Sequence, residues 1–151
     1  MNVRLLLVAF GAIFILFSIV GCRKNIGEQF GSNSSEFTAE EQATLGSAIL
    51  ANMESRPDRF PFLDKDQNWE AYSYLQDSLL EPLVYGSPLQ YRLDFDWQVH
   101  IIQDDAVDNA FALPGGHVVI YTGLLKYLEG NDEASSVLAH EIAYTDNEII
   151  I

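Results

Sequence analysis

Asn109-Ala-Phe-Ala-Leu-Pro-Gly-Gly-His-Val-Val-Ile-Tyr-Thr-Gly-Leu-Leu125 is the stretch on which the reading of the fold turns. Ala110–Leu113 and His117–Tyr121 are short extended runs set about Pro114-Gly115-Gly116, a turn sequence. Downstream, Gly123–Leu128 reads as a short helix. Gly130-Asn131-Asp132 stops it and caps another helix, from Glu133 to about Glu148, in which Val137, Leu138, Glu141, Ile142 and Tyr144 are interleaved with Ala. Upstream, Tyr91, Leu93, Phe95, Trp97, Val99 and Ile101 alternate with Arg92, Asp94, Asp96, Gln98 and His100. That period of two predicts a half-buried strand over Tyr91–Ile101, with His100 on its wet face. Asp104-Asp105 turns the chain after it.

Two more helices precede the strand. Thr38-Ala-Glu-Glu41 has the form of a capping box, and Leu45, Ile49 and Met53 recur every fourth residue, which predicts a helix to about Ser55, before Arg56-Pro57. Trp69, Tyr72, Leu75, Leu79 and Leu83 mark a second amphipathic helix, disturbed at its end by Pro82. Helices flanking a small sheet make the class α+β.

The composition narrows the function classes. Eight Lys+Arg against 22 Asp+Glu give a formal net charge of −14. Nucleic-acid binding needs a dense basic surface to displace phosphate counterions, so no nucleic-acid partner is expected. The single Cys excludes an internal disulfide framework. It stands at Cys22, after Arg4, an uncharged run from Leu5 to Val20, and Gly21. A stretch this short, ending in small residues, reads as an export signal.

Ile19-Val20-Gly21-Cys22 resembles a bacterial lipobox, which implies cleavage of residues 1–21 and lipid attachment at Cys22. Residues 22–36, rich in Ser, Asn and Gly, read as a flexible tether, and 37–151 as the N-terminal part of the functional domain. The expected place is the cell envelope, lipid-anchored and facing the periplasm. Arg23, where many inner-membrane lipoproteins carry Asp, leans toward the outer membrane. The anchor would be lipid and not charge, because an acidic domain is repelled by an anionic bilayer.

His140-Glu141-Ile142-Ala143-Tyr144 carries the chemistry. In H-E-x-x-H zinc hydrolases two imidazoles at i and i+4 bind one metal, and the intervening Glu accepts a proton from metal-bound water. Here His140 and Glu141 are present and Tyr144 takes the place of the second His. With the Asn109–Leu125 run standing before it, the segment 93–145 resembles the HtpX-like zinc metallopeptidases, gluzincins of peptidase family M48. The resemblance implies a zincin-like fold with an active-site helix, His140 as a zinc ligand and Glu141 as general base. It also implies that Asn109, Ala110, Phe111, Ala112, Leu113, Pro114, Gly115 and Gly116 form a sheet edge to which unfolded or extended protein substrates add as a strand.

Two departures limit what is expected of this chain. A phenol, with its pKa near 10, is a poor zinc donor beside an imidazole. The third ligand of the family, a Glu from a later helix, has no counterpart. Glu148 lies eight residues beyond His140, a rise of ~12 Å along a helix, whereas two ligands of one zinc lie within ~4 Å of each other. The expectation is therefore a truncated zinc endopeptidase with weak or absent metal binding and little activity, against a non-catalytic peptide-binding lipoprotein or a gene fragment. His100 and His117 read as solvated or structural residues, and Asp104, Asp105 and Asp108 as turn-forming ones, since they lack calcium-loop spacing.

Overall fold

A computed structural model describes residues 37–146, so the expectations on residues 1–36, Cys22 included, and on Glu148 fall outside the described residues. The first helix, α1, runs Ala39–Glu54 from Thr38 as its cap. The Thr38 hydroxyl accepts the Glu41 N–H at 3.2 Å, and the Glu41 carboxylate accepts the Thr38 N–H at 2.9 Å, the reciprocal bonds of a capping box. Thr38→Ala is expected to lower stability by about 1 kcal/mol in a urea melt; an unchanged midpoint would mean that the cap does not hold the helix.

The buried face of α1 is Gln42, Gly46, Leu50 and Met53, one residue out of step with the expected Leu45 and Ile49. The correction has a local cause. At Gly46 the helix backbone meets the Pro114 carbonyl so closely that an added Cβ would lie 1.8 Å from its oxygen. Close approach at a glycine, and not the largest apolar side chains, sets the rotation of α1.

The second helix is interrupted. α2 spans Trp69–Ser73, π-helical turns span Tyr74–Leu80, and α3 spans Glu81–Gly86. The wide turns lie directly before Pro82, whose ring cannot share space with the carbonyl four residues back and whose nitrogen has no hydrogen to donate. Tyr72, Leu75, Leu79, Leu80 and Val84 face the core, while Trp69 is 63 % exposed and does not.

The expected strand Tyr91–Ile101 is half as long as its alternation suggests: β1 covers Gln98–Ile102. Tyr91 and Phe95 are also four residues apart, the spacing of one helical turn, and they use it. The Tyr91 carbonyl accepts from the N–H groups of Asp94 and Phe95, the two rings stack with centroids 4.8 Å apart, and Leu93 is left 79 % exposed. β2 spans Ala110–Leu113, β3 spans His117–Tyr121, α4 spans Thr122–Tyr127 and α5 spans Asn131–Asp146.

The three strands form one mixed sheet in the order β1-β3-β2, β3 parallel to β1 and antiparallel to β2. The class is α+β, as the sequence implies. The sheet is a middle layer. Val99, Ile101, Val118 and Ile120 join the larger core with Leu75, Leu80, Val84, Leu138 and Ile142 from the helices on one side. Ile102, Leu113 and Val119 join Leu50 and Met53 of α1 in a smaller cluster on the other.

His100 is therefore not on a wet face. It is 4 % exposed, because a parallel pair such as β1–β3 is covered on both sides. Among the described residues no helix is long and apolar enough to cross a membrane.

Candidate active site

The sheet has two edges, and among the described residues only one is closed by the chain itself. Along the outer side of β1, the Gln76 side-chain amide donates to the Trp97 carbonyl at 2.9 Å and accepts the Val99 N–H at 3.0 Å. The Tyr72 hydroxyl accepts the Ile101 N–H at 3.2 Å and donates to the Leu63 carbonyl at 2.9 Å, and Leu63 itself donates to the Ile101 carbonyl. Side chains and a loop thus take the places of a fourth strand. Gln76 carries no signal in the sequence that would have revealed this role; Tyr72 reads simply as a core position.

The other edge, β2, has no further strand beside it among the described residues. The Tyr121 N–H donates to the Asn109 carbonyl, which sets the ladder: Phe111 and Leu113 point their main-chain groups at β3, and Ala110 and Ala112 point theirs outward. Of the expected docking residues, Asn109 is exposed and Ala110, Phe111 and Ala112 are half-buried, so they form the accessible part of the edge. Leu113, Gly115 and Gly116 are buried. Gly115 and Gly116 adopt φ of 77° and 92°, a region open to glycine, and pack against α1 and against Phe95 and Trp97. Gly115 and Gly116 form a packed corner, while Pro114 is half-buried like the strand before it.

α5 brings the His-Glu pair to this edge. It packs its Ala134, Leu138, Ile142 and Thr145 side inward. His140 and Tyr144, one turn apart, share the exposed side, with ring centroids 5.1 Å apart and Tyr144 68 % exposed. Glu141, about 100° further round the helix, lies half-buried against β2, where the Ala112 backbone N–H bonds to its carboxylate. Burial pushes the Glu141 carboxyl above its ordinary value, and the neighbouring His140 and the Ala112 N–H oppose that rise in part. A half-buried carboxylate with a raised pKa at the free edge of a sheet is suited to holding and returning a proton beside a main chain docked there.

The donor set does not fit a complete zinc centre. Three protein ligands are the rule for a catalytic zinc, and this face offers one imidazole and, at the second position, a phenol. Among the described residues no three His, Cys, Asp or Glu side chains gather round a common point. His100 and His117 do not help, for they contact each other on the far side of the sheet, in the α1 layer. Asp104 and Asp105 are turn residues: Asp104 accepts the Ala106 N–H, and Asp105 takes the Thr122 hydroxyl and the Lys126 ammonium.

The family model for Peptidase family M48 matches residues 74–148, from the π-helical turns through α5. The chain belongs to Peptidase family M48. Over 51 residues it is 45 % identical to the mitochondrial metalloendopeptidase OMA1 of Schizosaccharomyces pombe, a match covering 34 % of this chain and 15 % of that protein. To the OMA1 of Saccharomyces cerevisiae it is 43 % identical over 49 residues, covering 32 % of this chain and 14 % of that one. To the beta-barrel assembly-enhancing protease of Yersinia pestis it is 42 % identical over 45 residues, covering 30 % and 9 % respectively. The matched segment is thus 15 % or less of each of these relatives. What this M48 chain shares with them is a segment of about the length of the β-sheet and the His-Glu helix together.

Proposed function

We propose that this M48 chain carries the substrate-docking edge and the proton-accepting carboxylate of a zinc-dependent endopeptidase, and that as written it binds zinc weakly and hydrolyses little. The observation that carries the reading is the placement of Glu141 against the outward-facing Ala112 of β2, the sheet edge left open among the described residues. An extended, unfolded protein segment adds there through its main chain, with the outward main-chain groups of Ala110 and the Ala112 carbonyl supplying sequence-tolerant hydrogen bonds, the Ala112 N–H being held by Glu141. His140 is the residue that would hold the metal; zinc, when fully ligated, activates water for attack on a carbonyl. The weakness lies in Tyr144, whose neutral phenol competes poorly with imidazole for that ion.

Tyr144→His is expected to tighten zinc binding by at least ~10-fold in a competition titration with a chromogenic chelator, since two imidazoles at i and i+4 then face one ion. It is expected to leave casein hydrolysis near background. Stoichiometric zinc in the unaltered protein, with chelator-sensitive cleavage of unfolded casein, would overturn the claim of impairment.

The outward main chain of Ala110 favours a second reading, a peptide-binding module that works without metal. Ala110→Pro removes an outward N–H and no ladder bond. It is expected to weaken binding of an extended peptide by ~10-fold or more, whichever of the two readings holds. Glu141→Gln tests the module: it is expected to leave affinity for peptide unchanged, and loss of binding on that change would count against a metal-free module.

The lone Cys at position 22, behind Gly21 and an uncharged run, supports export and attachment by lipid at Cys22, with the domain facing the periplasm from the outer membrane. Metabolic labelling with an alkyne fatty acid tests this. Label that persists in Cys22→Ser would refute it.

A further inference from the structure

Beneath α1, on the sheet face away from α5, His100 of β1 and His117 of β3 meet with Nε2 and Nδ1 3.2 Å apart. They are 4 % and 8 % exposed, and the proposed peptidase chemistry uses neither. A bond of this kind holds one proton between two ring nitrogens, one donating and the other accepting. Two imidazolium rings would present N–H to N–H and lose it.

The charged groups that act on the pair come from three neighbouring segments. Glu54 ends α1, Lys65 lies in the loop after it, and Asp96 precedes β1; Lys65 opposes a positive charge on both rings, while Asp96 and Glu54 favour one on His117. Phe62 turns its edge to the His100 ring, centroids 6.3 Å apart. Burial outweighs the rest. It lowers His117 below its ordinary 6.5 and holds His100 down at about 4. The folded pair is neutral, so its contribution is complete above the unfolded value of 6.5 and is lost as the pH falls from there toward 4.

The His117 ring is also what α1 rests on. A Cβ at Gly46 would lie 3.2 Å from its Cδ2 and 1.8 Å from the Pro114 oxygen, so helix, ring and turn share one contact. The apolar cluster holding that layer is Leu50, Met53, Ile102, Leu113 and Val119, much smaller than the core on the α5 side. Local opening follows the layer with the least buried apolar surface.

We propose that the His100–His117 pair is an acid-sensitive latch that keeps α1 and the Pro114–Gly116 turn docked on the sheet while the two rings share one proton. Acid then frees this layer and leaves the α5 side folded. Because the turn closes one end of β2, release also loosens the open sheet edge. The latch does not depend on the peptidase reading.

The test is amide hydrogen exchange of the full chain in detergent micelles, near pH 7 and near pH 4.5, corrected for intrinsic exchange rates. Protection over 39–54 is expected to fall by at least ~10-fold in acid while protection over 131–142 is kept. His100→Gln and His117→Asn, which cannot gain a proton, are expected to abolish the difference. The proposal is overturned if α1 stays protected in acid, if α1 and α5 lose protection together, or if a folded variant still loses α1 protection. Should neither variant fold, the ring C–H resonances of the unaltered protein decide. Titration of both rings near the ordinary value refutes the latch, and titration below it, in step with α1 exchange, supports it.

Discussion

Gly46→Ala is expected to destabilise the protein by about 3 kcal/mol or more, although alanine is the best helix former and Gly46 sits in mid-helix. Propensity alone predicts the reverse, a gain of about 1 kcal/mol. The tertiary contact decides, because the new Cβ would lie 1.8 Å from the Pro114 carbonyl oxygen and 2.8 Å from its carbon, both backbone atoms that cannot swing aside. Relief requires α1 to lift from the turn, which opens a gap beneath Leu50 and Met53 and forfeits their packing. Gly86→Ala is the control. Nothing lies within 4 Å of that position, so the change is expected to be neutral or slightly stabilising. Guanidinium melts of both variants check the pair, and a Gly46→Ala protein as stable as its parent would show that α1 is not seated on the turn as described.

Asp146→Ala is expected to cost about 2–3 kcal/mol. Its two carboxylate oxygens accept the Gln90 and Tyr91 N–H groups, each at 2.8 Å, and so tie the last turn of α5 to the corner that leads into β1. Truncation leaves the part-buried Tyr91 donor without its acceptor, and that corner holds the Tyr91–Phe95 stack in the larger core. Asp146→Asn retains one acceptor and turns an amide N–H toward the other donor, so it is expected to recover less than half of the loss. Urea unfolding reads both, and a loss under ~0.5 kcal/mol for the alanine variant would mean that the tie is not held in solution.

Local signals survived folding where a few neighbouring residues decide the outcome. The capping box at Thr38 and Glu41, the strands on either side of Pro114-Gly115-Gly116, and the helix that begins at Asn131 all depend on backbone groups within one turn of one another. Alternation from Tyr91 to Phe95 was ambiguous, because residues that alternate also fall four apart. A carboxylate from α5, 55 positions downstream of Tyr91, helps to fix that segment as a turn. For Pro82 the sequence signal was right about disturbance, but the helix widens before the proline, where the carbonyls must move.

The candidate site divides in the same way. His140 and Glu141 were legible as a motif, and their spacing from the Asn109–Gly116 run carried the family. That Glu141 turns toward β2 while His140 and Tyr144 face outward depends on how α5 is rotated, and Leu138 and Ile142 set that rotation by packing into the core. Gln76 closing the β1 edge, and two histidines hidden under α1, had no sequence signal because each partner comes from a distant element.

By itself the sequence determined the α+β class, the turn-forming glycines, the capping box at Thr38 and the identity of the His-Glu motif, since these follow from chain chemistry over a few residues. Only the tertiary structure decided which sheet edge stays open, which face of each helix is buried, and which side chains leave water. Those outcomes depend on close approaches between segments far apart in the chain, where a single backbone oxygen can outweigh the preference of a whole turn of helix.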